Sequence, residues 1–128
     1  MGKLFPEEYI HFEMPASDLY LYADRAQIEQ VLINLLKNAR ETCERRTDKN
    51  IEIKFFSKGN PTFTISDNGE GILPDVLDKI FVPFFTTKTS SSGIGLSLCK
   101  QIMTLHDASI NVKSEIGKGS CFILTFPK

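Results

Sequence analysis

Thr62-Phe-Thr-Ile-Ser66 alternates polar and apolar residues, then runs directly into Asp67-Asn-Gly-Glu-Gly71 and Ile72. The first half has the two-residue period of a half-buried strand. The second is a glycine-rich loop, so an acidic residue stands where a strand gives way to a turn. Upstream, Ile51 to Ser57 reads as a partner strand, joined through Lys58-Gly-Asn-Pro61. Before it, Asp24 caps a helix expected to run to about Arg46, its buried stripe being Ile28, Val31, Leu32, Leu35, Leu36 and Ala39. Tyr9 to Glu13 and Leu19 to Tyr22 alternate around Pro15-Ala-Ser and read as two further short strands.

Downstream, Pro74 opens a short helix expected to last through about Ile80. Phe81 to Ser92 has no period and reads as a loop. A helix follows from Gly93 to Leu105, carrying Leu96, Leu98, Cys99, Ile102 and Met103. Ser109 to Ser114 and Ser120 to Phe126 close the chain as a hairpin around Ile116-Gly-Lys-Gly119. The order β-β-α-β-β-α-α-β-β implies an α/β (α+β) two-layer sandwich: a mixed sheet with about three helices on one face.

At 128 residues the chain is expected to be one domain, residues 1–128, with a single sizeable core. A composition 41% hydrophobic and 24% charged is that of a globular protein. The net charge of -1 leaves no basic surplus for nucleic acid or anionic lipid. No apolar run is long enough to span a bilayer, and Met1-Gly-Lys3 does not start a signal peptide. The three cysteines form no C-x-x-C pair, which points to reduced thiols and a cytoplasmic setting rather than to disulfides or zinc.

Three other segments carry chemistry. Asn34 and Asn38, one turn apart, project from the same side of the first helix. Amide oxygens suit Mg²⁺, and equally suit hydrogen bonds to neighbouring loops. Asp67 is either turn chemistry or an acceptor for an exocyclic amine, which would favour adenine over guanine, with Gly69 and Gly71 admitting the base and Ile72 walling it. Phe81-Val-Pro-Phe-Phe-Thr-Thr-Lys88 combines an apolar cluster with hydroxyls and a cation. Gly93-Ile-Gly-Leu96 opens a helix whose free amides attract anions.

Taken in order, these segments resemble the N, G1, F and G2 boxes of the ATP-binding domain of sensor histidine kinases, the GHKL or Bergerat fold. The likeness covers essentially the whole chain, and its specificity lies in order and spacing. It implies Mg-ATP as the bound species, Asn38 as the Mg²⁺ ligand and Asn34 as its neighbour beside the phosphates. It further implies adenine contact by Asp67 with Gly69, Gly71 and Ile72, a lid anchored at Phe81, and phosphate contacts from Thr87 and Lys88. Gly93, Gly95 and Leu96 would form the phosphate-facing helix end, and Ser120 of Gly117-Lys-Gly119-Ser120 would reach the adenine pocket through water, with turn chemistry as the alternative reading. Asn34, Asn38 and Lys88 are the expected catalytic set. Family members often carry an extra glycine where this chain has Ser91.

The resemblance also limits the chemistry. No G-x-x-x-x-G-K-[ST], H-R-D or D-F-G motif is present. Related ATPases of the fold place a glutamate base where Asn34 stands, and an asparagine cannot take a proton from water. Phosphoryl transfer to a histidine on a separate dimerisation domain is therefore expected over hydrolysis, with a response regulator acted on indirectly. His11 and His106 lack the setting of an acceptor, and His106 is read as a cationic cap or a turn residue ending its helix. The domain is expected to be monomeric alone, with no nucleic-acid or direct membrane contact. An anti-sigma-factor-type serine kinase and a catalytically silent nucleotide-sensing module are the alternatives.

Overall fold

Asp24 turns the chain into its longest helix, accepting the Gln27 amide at its side chain. The structure, a computed structural model, describes residues 10–13, 24–43, 47–77, 79–82 and 95–127. Within them the elements are β1 (Ile10–Glu13), α1 (Arg25–Thr42), β2 (Ile51–Lys58), β3 (Asn60–Asp67), α2 (Pro74–Leu77), α3 (Gly95–Leu105), β4 (Ser109–Glu115) and β5 (Gly119–Thr125). The five strands form one sheet in the order β1-β2-β3-β5-β4. Only β1 and β2 are parallel, joined across α1; the remaining pairs are antiparallel, so the sheet is mixed as expected.

Register sorts the helix-facing side of the sheet into rows. Ile53, Ile65, Phe122 and Val112 are neighbours across β2, β3, β5 and β4. One step towards the end of β3 the row becomes Ile51, Asp67, Ser120 and Ser114. The sheet is thus apolar along its middle and polar at one end. Over the apolar rows lie α1 and α3, which pack on each other and on the sheet. Val31, Leu35 and Leu36 of α1 and Cys99 and Met103 of α3 have no exposed surface. Fully burying one such leucine contributes about 1.5–3 kcal/mol, so this seam carries much of the stability. The other side of the sheet bears Glu52 and Lys54, paired at 3.7 Å.

Several boundaries differ from expectation. Pro61 lies inside β3 opposite Ser57 rather than in the turn, because the hairpin closes over Gly59 alone. Pro61 lacks a donor, yet its carbonyl still accepts the Phe126 amide at 2.9 Å. Helix α1 stops at Thr42, not near Arg46, because Cys43 caps it and the Glu70 amide approaches the Thr42 carbonyl at 3.4 Å. Helix α2 ends at Leu77 instead of Ile80, the chain continuing as turns closed by Lys79 and Val82 amides. The expected strand from Leu19 to Tyr22, residues 44–46 and most of the loop from Phe81 to Ser92 lie outside the described residues.

Candidate functional site

Asp67 ends β3 with only 8% of its surface exposed. Its Oδ1 accepts the Gly69 amide at 2.9 Å, so the side chain organises the loop that follows it. A buried carboxylate favours donors around it, and its charge reaches further. The Cys43 thiol is pushed above its ordinary range, by burial first and then by the Asp67 charge.

Two glycines let this loop close on its neighbours. A Cβ at Gly69 would meet the Thr42 carbonyl and hydroxyl, each at 2.7 Å. Gly71 has φ of +81°, and a Cβ there would strike the Glu115 carbonyl. The sequence assigns these glycines to backbone passing close to a base; in the structure they bring the loop against the end of α1 on one side and the β4–β5 hairpin on the other. The Gly117 amide bonds to the Glu70 carbonyl at 3.0 Å across that second contact. Ile72 packs partly buried against the core, and its amide donates to Ser114 Oγ at 2.7 Å.

Along α1, Asn34, Asn38 and Thr42 recur at four-residue spacing, so one stripe leads from α3 to the glycine loop. Its length is about 12 Å at 1.5 Å per residue. Asn34, half-buried, accepts Gln30 Nε2 at 3.0 Å. It also hydrogen-bonds Cys99, whose thiol burial pushes up to about 11 against that opposing bond. Asn38 is half-buried on the same stripe. Thr42 Oγ1 donates to the Ala39 carbonyl at 3.0 Å, orienting the hydroxyl that faces Gly69.

Ser120 is 5% exposed and is the register partner of Asp67 across β3 and β5. Phe81 packs edge-on to Phe122, the neighbouring core ring, with centroids 6.5 Å apart, and Lys100 Nζ lies 6.0 Å over its ring. Gly95 begins α3, and Leu96 packs half-buried on the core. Asp67, Gly69, Gly71, Ile72 and Ser120 therefore meet at one end of the sheet, with Asn34 and Asn38 on the helix stripe that leads there. Thr87, Lys88 and Gly93 lie outside the described residues.

Of the two roles expected of His106, cationic cap and turn, the turn is the one observed. Its Nδ1 donates to the Ile102 carbonyl at 2.8 Å, and its Nε2 accepts the Asp24 amide at 3.1 Å. Because the carbonyl can only accept and the amide only donate, the ring is a neutral imidazole tying the end of α3 to the start of α1.

Three contributors escaped sequence reasoning. Thr42 extends the Asn34–Asn38 stripe by one more turn, a signal present in the spacing. Asn68 binds the Asn50 amide at 2.8 Å and the Asp48 carbonyl at 2.7 Å, which the local Asp-Asn-Gly turn signal hides. Ser114 touches both Ile72 and Ser120, a contact legible only once the hairpin register is counted.

An α/β sandwich with a buried acid at a glycine loop and an asparagine stripe beside it defines a class of nucleotide-binding domain. Residues 23–128 match the family described as histidine kinase-, DNA gyrase B-, and HSP90-like ATPase. A nucleotide-free form of the catalytic domain of histidine kinase ThkA is 35% identical, with a TM-score of 0.85 over 99% of this chain and 87% of that one. Sensor histidine kinase ZraS of Salmonella typhimurium is 38% identical over 107 residues, 84% of this chain. AtoS of Escherichia coli, a signal transduction histidine-protein kinase, is 41% identical over 105 residues, 82% of this chain. The chain spans 23% of the length of ZraS and 17% of AtoS. This chain belongs to that ATPase family, as a catalytic domain of the histidine kinase kind.

Proposed function

We propose that the domain binds Mg-ATP and donates its γ-phosphoryl to a histidine on a separate dimerisation domain, within two-component signalling. The observation that carries the reading is the buried Asp67 carboxylate at the mouth of the glycine loop, with the Asn34–Asn38–Thr42 stripe leading away from it. The adenine amine would donate to Asp67, whereas the guanine oxygen would face it acceptor to acceptor. Gly69, Gly71, Ile72 and Ser120 would border the base.

The triphosphate would then run along Asn38 and Asn34 towards Gly95 and Leu96 at the start of α3. Thr87, Lys88 and Gly93 are proposed phosphate contacts, with Phe81 seating the segment that carries them. Asn38 supplies an amide oxygen suited to Mg²⁺, a hard cation that keeps most of its waters. When bound, Mg²⁺ would neutralise phosphate charge.

In the transfer, the acceptor nitrogen bonds to the γ-phosphorus as the bond to the bridging oxygen breaks, and ADP leaves. Asn34 takes no proton, so water is not activated and hydrolysis stays slow. Positioning and charge neutralisation supply the catalysis. The proposed acceptor is a histidine of another domain, a reading supported by His106, whose two ring nitrogens are both occupied. The partners are thus the phosphoacceptor domain and, through it, a response regulator. We place the domain in the cytoplasm, monomeric in isolation, either free or as the cytoplasmic part of a membrane-bound sensor.

Calorimetric titration with Mg-ATP tests the reading, with GTP and Asp67→Asn as controls. Saturable ATP binding, lost with GTP and in the variant, is the expected outcome. Absence of ATP binding would leave the fold as a silent module. A supplied histidine-bearing hairpin domain should become phosphorylated.

A further inference from the structure

Asn34 is held from two sides by groups that fix which way round its amide lies. Gln30, one turn earlier on α1, donates from Nε2 to Asn34 Oδ1 at 3.0 Å. On the other side stands Cys99 of α3, fully buried and hydrogen-bonded to Asn34. The Cys99 thiol has a single proton, which it donates to the Val31 carbonyl at 3.8 Å. Its sulfur therefore accepts from Asn34, and the donating group is Nδ2. Both neighbours demand the same orientation, with the oxygen towards Gln30 and the nitrogen towards α3.

That orientation bears on the nucleotide because of what lies along α3. Cys99 follows Gly95 by four residues, so the helix face that meets Asn34 begins at the helix start proposed for the phosphates. Asn34 also stands about 12 Å along α1 from Thr42, at 1.5 Å per residue, and so at the end of the stripe away from Asp67. A nucleotide seated with its base on Asp67 brings its terminal phosphate to that end. Phosphate oxygens accept, so they need the nitrogen side of the amide; a flipped amide would turn its own oxygen on them.

We infer that Gln30 is a positioning residue that, opposite Cys99, fixes the orientation of the Asn34 amide and keeps a donor turned to the terminal phosphate. This rests on the reading of Asn34 as a neighbour of the phosphates. Gln30 is itself exposed, so its replacement leaves the core intact.

The test replaces Gln30 with methionine, which matches it in length and helix propensity but donates nothing. Binding of Mg-ATP and Mg-ADP is measured for the 128-residue chain, Gln30→Met, Asn34→Ala and the double variant, and the Asn34 side-chain amide is followed by NMR. We expect Gln30→Met to weaken ATP about fivefold, the worth of roughly one hydrogen bond, and to leave ADP within about twofold. The Asn34 side-chain resonances should shift in Gln30→Met, and the substitution should add nothing once Asn34 is alanine. Equal weakening of ATP and ADP, an unchanged ATP affinity, or the same effect of Gln30→Met in the Asn34→Ala background overturns the inference while the nucleotide site stands. A wild-type chain that does not bind Mg-ATP overturns the proposed function, and the inference with it.

Discussion

Asp67 holds the fold at the same residue that the proposed function sets against the base. One oxygen fixes the Gly69 amide, and the carboxylate stays buried at the end of β3. Turn chemistry and base recognition, rival readings of Asp-Asn-Gly in sequence, are therefore compatible at this residue. The glycines behind it answer first to the protein's own backbone. Gly71→Ala places a Cβ against the Glu115 carbonyl at a positive φ. It should cost at least about 1–3 kcal/mol, the scale of stored backbone strain. Urea denaturation of the variant checks this, and an unchanged midpoint would mean that the loop yields easily. Asp67 and both glycines were legible as residues; the surfaces they press against were not, because those come from Thr42 and Glu115, far away in sequence.

Elements meet at this end through side chains that the sequence marks only as loop formers. Asn68 joins the glycine loop to the segment between α1 and β2, with bonds to Asn50 and Asp48 and a thiol contact from Cys43 at 3.5 Å. Asn68→Ala should lower stability by about 1–3 kcal/mol through the unsatisfied groups it leaves. It should also raise hydrogen exchange at the Asn50 amide selectively. Protection of that amide equal to wild type would show that Asn68 does not hold the two loops together. Helix α1 was legible from its cap and apolar stripe, and its end was misplaced. Its last carbonyl meets the Glu70 amide, a partner 28 positions further on, so no local pattern could announce the stop.

Across the whole molecule, the seam between α1 and α3 buries a titratable thiol in the core. Cys99 is fully buried, and burial raises its pKa from 9.0 to about 11. A thiol that ionises later in the folded state than in the unfolded one contributes stability that is full below pH 9. That contribution is lost as pH rises from 9 towards about 11. Stability measured by urea denaturation should thus fall through this alkaline window, and Cys99→Ala should make the fall shallower. An identical fall in the variant would assign it to other groups. The sequence by itself determined the mixed sheet, the helices on one face, the asparagine pair and the acidic glycine loop, since each rests on short-range periodicity or turn chemistry. Only the tertiary structure decided that Ser114 links Ile72 to Ser120, that His106 is a neutral bridge to Asp24, and that Thr42 walls the loop. These depend on strand register and helix docking, which bring together groups tens of residues apart, and no local pattern encodes such distances.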